Sequence, residues 1–221
     1  MKKVVISLGG SVIVPDKVDN NFLKKFKSLI KKYPKNKFVI ICGGGKLARN
    51  LQKEAKKLEK TTDKDLDWLG IYATRINALT LKNVLNIKGK IITNPNDKIE
   101  FKENVLVGGG WKPGFSTDYD AVLIAKNIGA DILINMTNVD YVYDKDPKLK
   151  DAKPIKEVKW KELRKIVGNK WEPGLNMPFD PIASKEAEKL KMKVIIIGND
   201  LKNLGNVLNG KKFNGTSIQK N

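Results

Sequence analysis

The sequence predicts an α/β protein on a mainly parallel sheet, and three observations carry that expectation. Apolar runs of strand length alternate with lysine-rich helical stretches along the whole chain. Three of the runs empty into glycine clusters: Val4 to Leu8 into Gly9-Gly10-Ser11, Phe38 to Cys42 into Gly43-Gly44-Gly45-Lys46, and Val105 to Val107 into Gly108-Gly109-Gly110. Glycine at the carboxyl end of a strand lets the backbone come close to a ligand, with N–H groups aimed at phosphate oxygens. Three such turns describe a sheet edge lined with phosphate-binding loops. Neither a repeat nor a low-complexity linker divides the chain.

The elements follow in order. Strands are expected at about residues 3–8 and 37–42, with helices at about 19–33 and 45–59 after them. A further helix spans about 66–86, where Leu69, Ala73, Ile76 and Leu79 recur at spacings of three and four. Short strands at about 90–93 and 104–107 precede a helix at about 118–128 and a buried strand at about 131–135. Helices at about 160–167 and 183–190 and a strand at about 193–197 complete the series. Lys145 to Pro154 reads as a surface excursion, and Gly168 to Pro181 as a mobile or substrate-facing loop.

Composition narrows the chemistry. With 221 residues and 41% apolar content, the chain can build one sizeable core. No apolar run approaches the roughly 20 residues of a membrane span, and the amino terminus reads as a strand rather than a signal peptide. The single cysteine, Cys42, sits in an expected core strand, so a cytoplasmic location is expected. The net charge of +19 comes mostly from lysine, with only Arg49, Arg75 and Arg164 as guanidinium groups. Without arginine forks or interleaved aromatics this reads as a solvated lysine surface rather than a nucleic-acid site. There is no histidine, which removes imidazole bases, nucleophiles and metal ligands. Carboxylates, lysines, hydroxyls and backbone amides remain, and these suit phosphoryl transfer, which needs positioning and charge neutralisation more than covalent help.

The chain has no Walker A pattern. Gly43-x-Gly45-x-x-Ala48 loosely fits a dinucleotide fingerprint, but the acidic residue expected about 20 positions on falls in a helical, lysine-rich stretch.

Nearly end to end, the chain resembles the amino acid kinase family and, within it, the archaeal type of uridylate kinase. The resemblance rests on Gly9-Gly10-Ser11-Val12, on Gly43-Gly44-Gly45-Lys46-Leu47-Ala48-Arg49, and on Asp67-Trp68-Leu69-Gly70-Ile71 with Thr74-Arg75-Ile76-Asn77-Ala78. It continues through Gly109-Gly110-Trp111-Lys112-Pro113-Gly114-Phe115-Ser116-Thr117-Asp118, Thr137-Asn138-Val139-Asp140-Tyr141-Val142-Tyr143 with Asp146-Pro147, and Phe179-Asp180-Pro181-Ile182-Ala183. The resemblance implies a single three-layer αβα domain over 1–221, with an acceptor half (about 1–130) and an ATP half (about 131–221). It also implies ATP as donor, UMP as acceptor, Mg²⁺ held mainly by phosphates, and a homo-oligomer, with a hexamer expected.

It assigns roles residue by residue. Gly9, Gly10 and Ser11 would hold donor phosphates and the transferring group, Gly44 the acceptor, and Gly45 their junction. Arg49, one turn into its helix, would reach a phosphate, or is a plain surface arginine. Asp67 would take the acceptor's ribose hydroxyls, or stabilises a helix start. Trp111, Lys112, Pro113, Gly114, Phe115, Ser116 and Thr117 would close over the acceptor nucleotide. Thr137, Asn138, Tyr143 and Asp146 match the adenine and ribose side of the donor, with a core aromatic as the rival reading of Tyr143. Asp118 and Asp180 are candidate catalytic carboxylates, with a helix cap as the rival reading of each. Many members carry a first-strand lysine that neutralises the transferring phosphoryl; Ser7 stands there instead. Lys46 is then the best-placed catalytic cation, with Lys112 behind it. The alternatives are a family member acting on a carboxylate, carbamate or small phosphate, a non-catalytic nucleotide-binding regulator, or a basic RNA-binding protein. Isopentenyl phosphate kinases rely on a second-loop histidine, which is absent here.

Overall fold

A computed structural model describes residues 1–168 and 177–219. The elements are β1 (Lys3–Leu8), α1 (Gly10–Ile13), α2 (Asn20–Lys31), β2 (Lys37–Cys42), α3 (Gly45–Ala55), α4 (Asp63–Leu85) and β3 (Val105–Gly108). They continue with α5 (Thr117–Ile128), β4 (Ile132–Met136), β5 (Val142–Tyr143), β6 (Pro154–Ile155), β7 (Glu157–Lys159) and α6 (Trp160–Val167). The chain then forms α7 (Pro181–Lys189), β8 (Val194–Ile197), α8 (Leu201–Leu208) and β9 (Thr216–Gln219).

Seven strands form one sheet in the order β3-β2-β1-β4-β8-β9-β7. The first five are mutually parallel, and β9 joins β8 antiparallel. Because β2 lies on one side of β1 and β4 on the other, the strand order reverses direction at β1. The carboxyl end of β1 therefore opens into the crevice where such sheets hold ligands.

Alternation along each strand distributes the core between two faces. Val4, Ile6 and Leu8 pack with Phe38, Ile40, Leu23, Phe26 and Leu81 on one side. Val5 packs with Val39, Ile41, Leu133, Val122, Trp160 and Phe179 on the other. Helices cover both faces, so the αβα sandwich expected from the sequence is the observed architecture. The same period of two directs Ser7 toward the side of Val5, the side covered by α5.

Four local expectations need correction. The strand expected at 90–93 reduces to a single bridge between Ile92 and Gly108. The turn after β1 winds into the short helix α1. Ser116, not Asp118, caps α5, its hydroxyl accepting the Tyr119 N–H at 3.2 Å. Asp67 is no helix-start residue, because α4 begins at a capping box of Thr62 and Asp65. Most of the loop expected at Gly168 to Pro181 lies outside the described residues. Among the described residues no helix is long and apolar enough to cross a membrane.

Candidate active site

The first two glycine turns touch each other. A methyl group on Gly10 would come within 2.4 Å of both the Gly43 carbonyl oxygen and the Gly45 nitrogen. Gly45 also has φ +58°, a conformation open to glycine and costly for β-carbon residues. Only backbone without side chains lets the amino ends of α1 and α3 converge so closely. Gly10→Ala is therefore expected to cost about 1–3 kcal/mol through overpacking; an unchanged melting temperature would show that the loops can move apart.

Side chains lock the pair in place. Asn77 Nδ2 donates to the Gly43 carbonyl (2.8 Å), and Arg49 Nη2 donates to Ser11 Oγ (3.0 Å). Lys46, exposed in the first turn of α3, pairs with Asp16. Gly9 N–H donates to the Met136 carbonyl at 2.8 Å, joining the first loop to the end of β4.

A pocket opens beside these loops, lined by Gly44, Gly45, Arg49, Asp67, Phe115 and Thr117 among others. At one end lie the glycine-loop backbone and a guanidinium, groups that suit a phosphate. At the other, Asp67 Oδ2 accepts the Gly114 N–H at 2.7 Å, and burial holds this carboxyl above its ordinary pKa. Above the pocket, Trp111, Phe115 and Tyr119 form a stack with ring centroids 5.6 and 4.7 Å apart. Lys112 Nζ lies 3.9 Å from the Trp111 ring centroid, so its charge rests on the aromatic face. Pro113 and Gly114 turn the chain at the loop tip, where Gly114 has φ +88°.

Asp118 and Asp180 meet at the sheet edge. Ser7 Oγ donates to Asp118 Oδ1 (2.8 Å), and the Asp180 N–H donates to Asp118 Oδ2 (3.2 Å). Part of Asp118 reaches solvent, but its carboxyl group is enclosed. Burial, reinforced by the negative Asp180, pushes its pKa up to about 6. Asp180 caps α7, with Oδ1 accepting the Ala183 N–H at 2.6 Å, and burial raises its pKa against the amides of Ala183 and Ile182 and the nearby Ser116 hydroxyl. Its Oδ2 is buried without a hydrogen-bond partner. Capping thus occupies one oxygen and leaves the other outside the cap, with Ser116 nearby.

Thr137 follows β4 and is fixed through its N–H to the Ile197 carbonyl (3.0 Å), with Asn138 exposed beside it. Tyr143 is half-buried in the β5–β6 hairpin, its ring edge-on to Tyr141. Asp146 is exposed and accepts the Lys148 N–H within its own turn (3.0 Å). These four lie along one chain segment leading outward from the first loop, apart from the residues that line the pocket.

Sequence reasoning gave Thr74, Arg75, Asn77 and Asp120 no individual role, yet all four bond to the glycine loops or to the loop above the pocket. Asn77 could have been found as a polar residue on an apolar helix face, four residues before Leu81. Among the described residues no group of three or more His, Cys, Asp or Glu is arranged to hold a metal ion.

Glycine loops converging at the reversal point of a parallel sheet, with a guanidinium and two carboxylates around them, define a phosphoryl-binding α/β fold. The chain belongs to the amino acid kinase family, whose sequence model matches residues 2–198. It is 37% identical to the uridylate kinase of Thermoplasma volcanium, over 99% of this chain and 98% of that protein. It is 35% identical to the uridylate kinase of Pyrococcus abyssi, over 98% and 99%. The crystal structure of uridylate kinase from Archaeoglobus fulgidus superposes with a TM-score of 0.85 at 34% identity, covering 99% of this chain and 100% of that one. The UMP kinase structure from Bacillus anthracis shares the fold, with a TM-score of 0.75 at 19% identity over 100% and 96%.

Proposed function

We propose that the protein is an ATP-dependent UMP kinase, producing UDP and ADP. The observation that carries this reading is one pocket with a phosphate end, Gly44, Gly45 and Arg49, and a hydroxyl-accepting end, Asp67, under an aromatic loop. A nucleoside monophosphate has those two ends at that separation of roles. A carboxylate or carbamate acceptor would leave Asp67 and the stacked rings without a purpose. Full-length relatives that are uridylate kinases support the same acceptor.

In this reading residues about 1–130 form the acceptor half, and about 131–221 carry the donor side. Gly9, Gly10 and Ser11 face the transferring phosphoryl, whose oxygens the backbone N–H groups of the two loops stabilise without reorganising. The acceptor phosphate oxygen attacks the γ-phosphorus of ATP in line as the bond to the β–γ bridging oxygen breaks and ADP leaves, while Arg49 and Gly44 hold the acceptor's phosphate. Thr137, Asn138, Tyr143 and Asp146 take the adenosine side of ATP.

Magnesium fits the residues present as an ion carried chiefly by the donor phosphates. The unpartnered Asp180 Oδ2 is a hard oxygen of the kind it takes, with Asp118 beside it. Its contribution there would be neutralisation of phosphate charge. A homo-oligomer, with a hexamer as the expected form, and a cytoplasmic setting complete the proposal.

The deciding experiment is a coupled ADP-release screen against all four nucleoside monophosphates, acetylglutamate, carbamate and isopentenyl phosphate. UMP is expected to exceed CMP, AMP and GMP by at least about tenfold in kcat/KM, roughly 1.4 kcal/mol of discrimination. Equal turnover of AMP, or turnover of a carboxylate alone, would refute the assignment.

A further inference from the structure

Asp120 takes no part in the steps above, yet it is a charged residue only 1% exposed on α5. Its Oδ2 accepts the Trp111 N–H at 3.0 Å, and its Oδ1 has no hydrogen-bond partner. If stability alone set this position, an apolar residue like the neighbouring Ala121 and Val122 would serve better than a carboxylate with an orphaned oxygen.

The peptide that Asp120 holds is also gripped from α4. Arg75 Nε donates to the Gly110 carbonyl at 3.1 Å and its Nη2 to the Trp111 carbonyl at 3.0 Å. Thr74 Oγ1 accepts the Gly110 N–H at 2.7 Å. The peptide group between Gly110 and Trp111 thus has its N–H on an anion from one helix and its C=O on a cation from another. Opposite charges at the two ends of one amide polarise it in the same sense, so each bond strengthens the other. Beyond this stem, residues 111–116 carry the aromatic stack over the pocket, and their tip reaches Asp67.

The charged groups around Asp120 fit this arrangement. Burial pushes its pKa up to about 7; the Trp111 amide and Arg75 favour the ionised form, and Asp118 and Asp180 oppose it. Arg75 is therefore the positive partner that offsets two carboxylates.

We infer that Asp120 and Arg75 are a positioning pair that fixes the stem of the acceptor-closing loop and so sets the affinity for the acceptor nucleotide. The kinetic part of this inference rests on UMP being the acceptor; the clamp itself does not.

The test combines hydrogen exchange of the nucleotide-free protein with steady-state kinetics. In Asp120→Ala, amides of residues 110–116 are expected to exchange about tenfold faster while the sheet strands keep their protection. KM for UMP should rise about tenfold, with kcat and KM for ATP within about threefold of wild type. Asp120→Asn keeps an oxygen for the Trp111 N–H and should recover most of both losses. Arg75→Lys keeps the charge but loses the fork that spans two carbonyls, and should reproduce the alanine pattern. Unchanged loop exchange in both Asp120→Ala and Arg75→Lys would overturn the inference. So would faster exchange across the whole sheet with kcat and both KM values moving together. A wild-type protein inactive on UMP would instead refute the proposed function, and the exchange data would still decide the clamp.

Discussion

Asp180→Asn is expected to lower kcat on the order of a hundredfold, about 2.7 kcal/mol of transition-state stabilisation, while the protein melts cooperatively near its wild-type temperature. The two effects separate because the carboxyl group has two jobs on two oxygens. Oδ1 caps α7 through the Ala183 N–H, and asparagine retains an oxygen for that bond. Oδ2 is buried beside Asp118 and leaves its charge outside the cap, and in the proposed mechanism that charge serves the phosphates and their metal. Replacing the charge with an amide leaves the cap and removes the anion. A cap without a catalytic role would give the opposite result, an enzyme of normal kcat with a stability change of about 1 kcal/mol or less. Kinetics measured beside thermal melts distinguish the two outcomes directly.

The elements buried on both faces were legible because their chemistry is local. β1, β2, β4 and β8 are mostly apolar runs, and each ends within a residue or two of its expected boundary. The glycine clusters were equally plain, since only glycine fits where Gly10 meets Gly43 and Gly45. The short strands were not legible. β9 reads Thr-Ser-Ile-Gln and β7 Glu-Val-Lys, with no periodic signal of their own. What makes them strands is pairing with each other and with β8, which no local window contains.

The site shows the same division. Loops that present backbone to a phosphate could be read directly, but the partners of the carboxylates could not. Ser7 was visible as a departure from the family lysine, while its bond to Asp118 joins residues 111 positions apart. Asp118 looked like a helix cap because it stands near a helix start; Ser116, two residues earlier, takes that bond and leaves Asp118 to face Ser7 and Asp180. Asp120 was hidden for a similar reason. A carboxylate in the first turns of a helix is ordinary dipole chemistry until the fold aims it inward.

In the proposed mechanism Ser7 leaves the transferring phosphoryl without a strand cation, so the charge is to be met from elsewhere. Lys46 is the group expected to meet it. It stands in the first turn of α3, where the helix amino end already favours anions, and next to the point where the two glycine loops touch. Arg49, one turn further on, is assigned to the acceptor's phosphate in this reading, and the charge of Lys112 rests on Trp111. The partner of Lys46 is Asp16, whose side chain is 80% exposed, and such a solvated pair yields readily to a phosphate. Lys46→Ala is expected to lower kcat more than about thirtyfold, roughly 2 kcal/mol, with KM for UMP within about threefold. Lys46→Arg should recover only part of the loss, because a planar fork differs from an ammonium in reach and hydration. Asp16→Asn serves as the control: it releases Lys46 without removing it, so kcat should hold or rise. A near-normal kcat in Lys46→Ala would pass the role to Lys112 or to magnesium, and a fall in Asp16→Asn matching that of Lys46→Ala would make the ion pair, rather than the free ammonium, the functional unit.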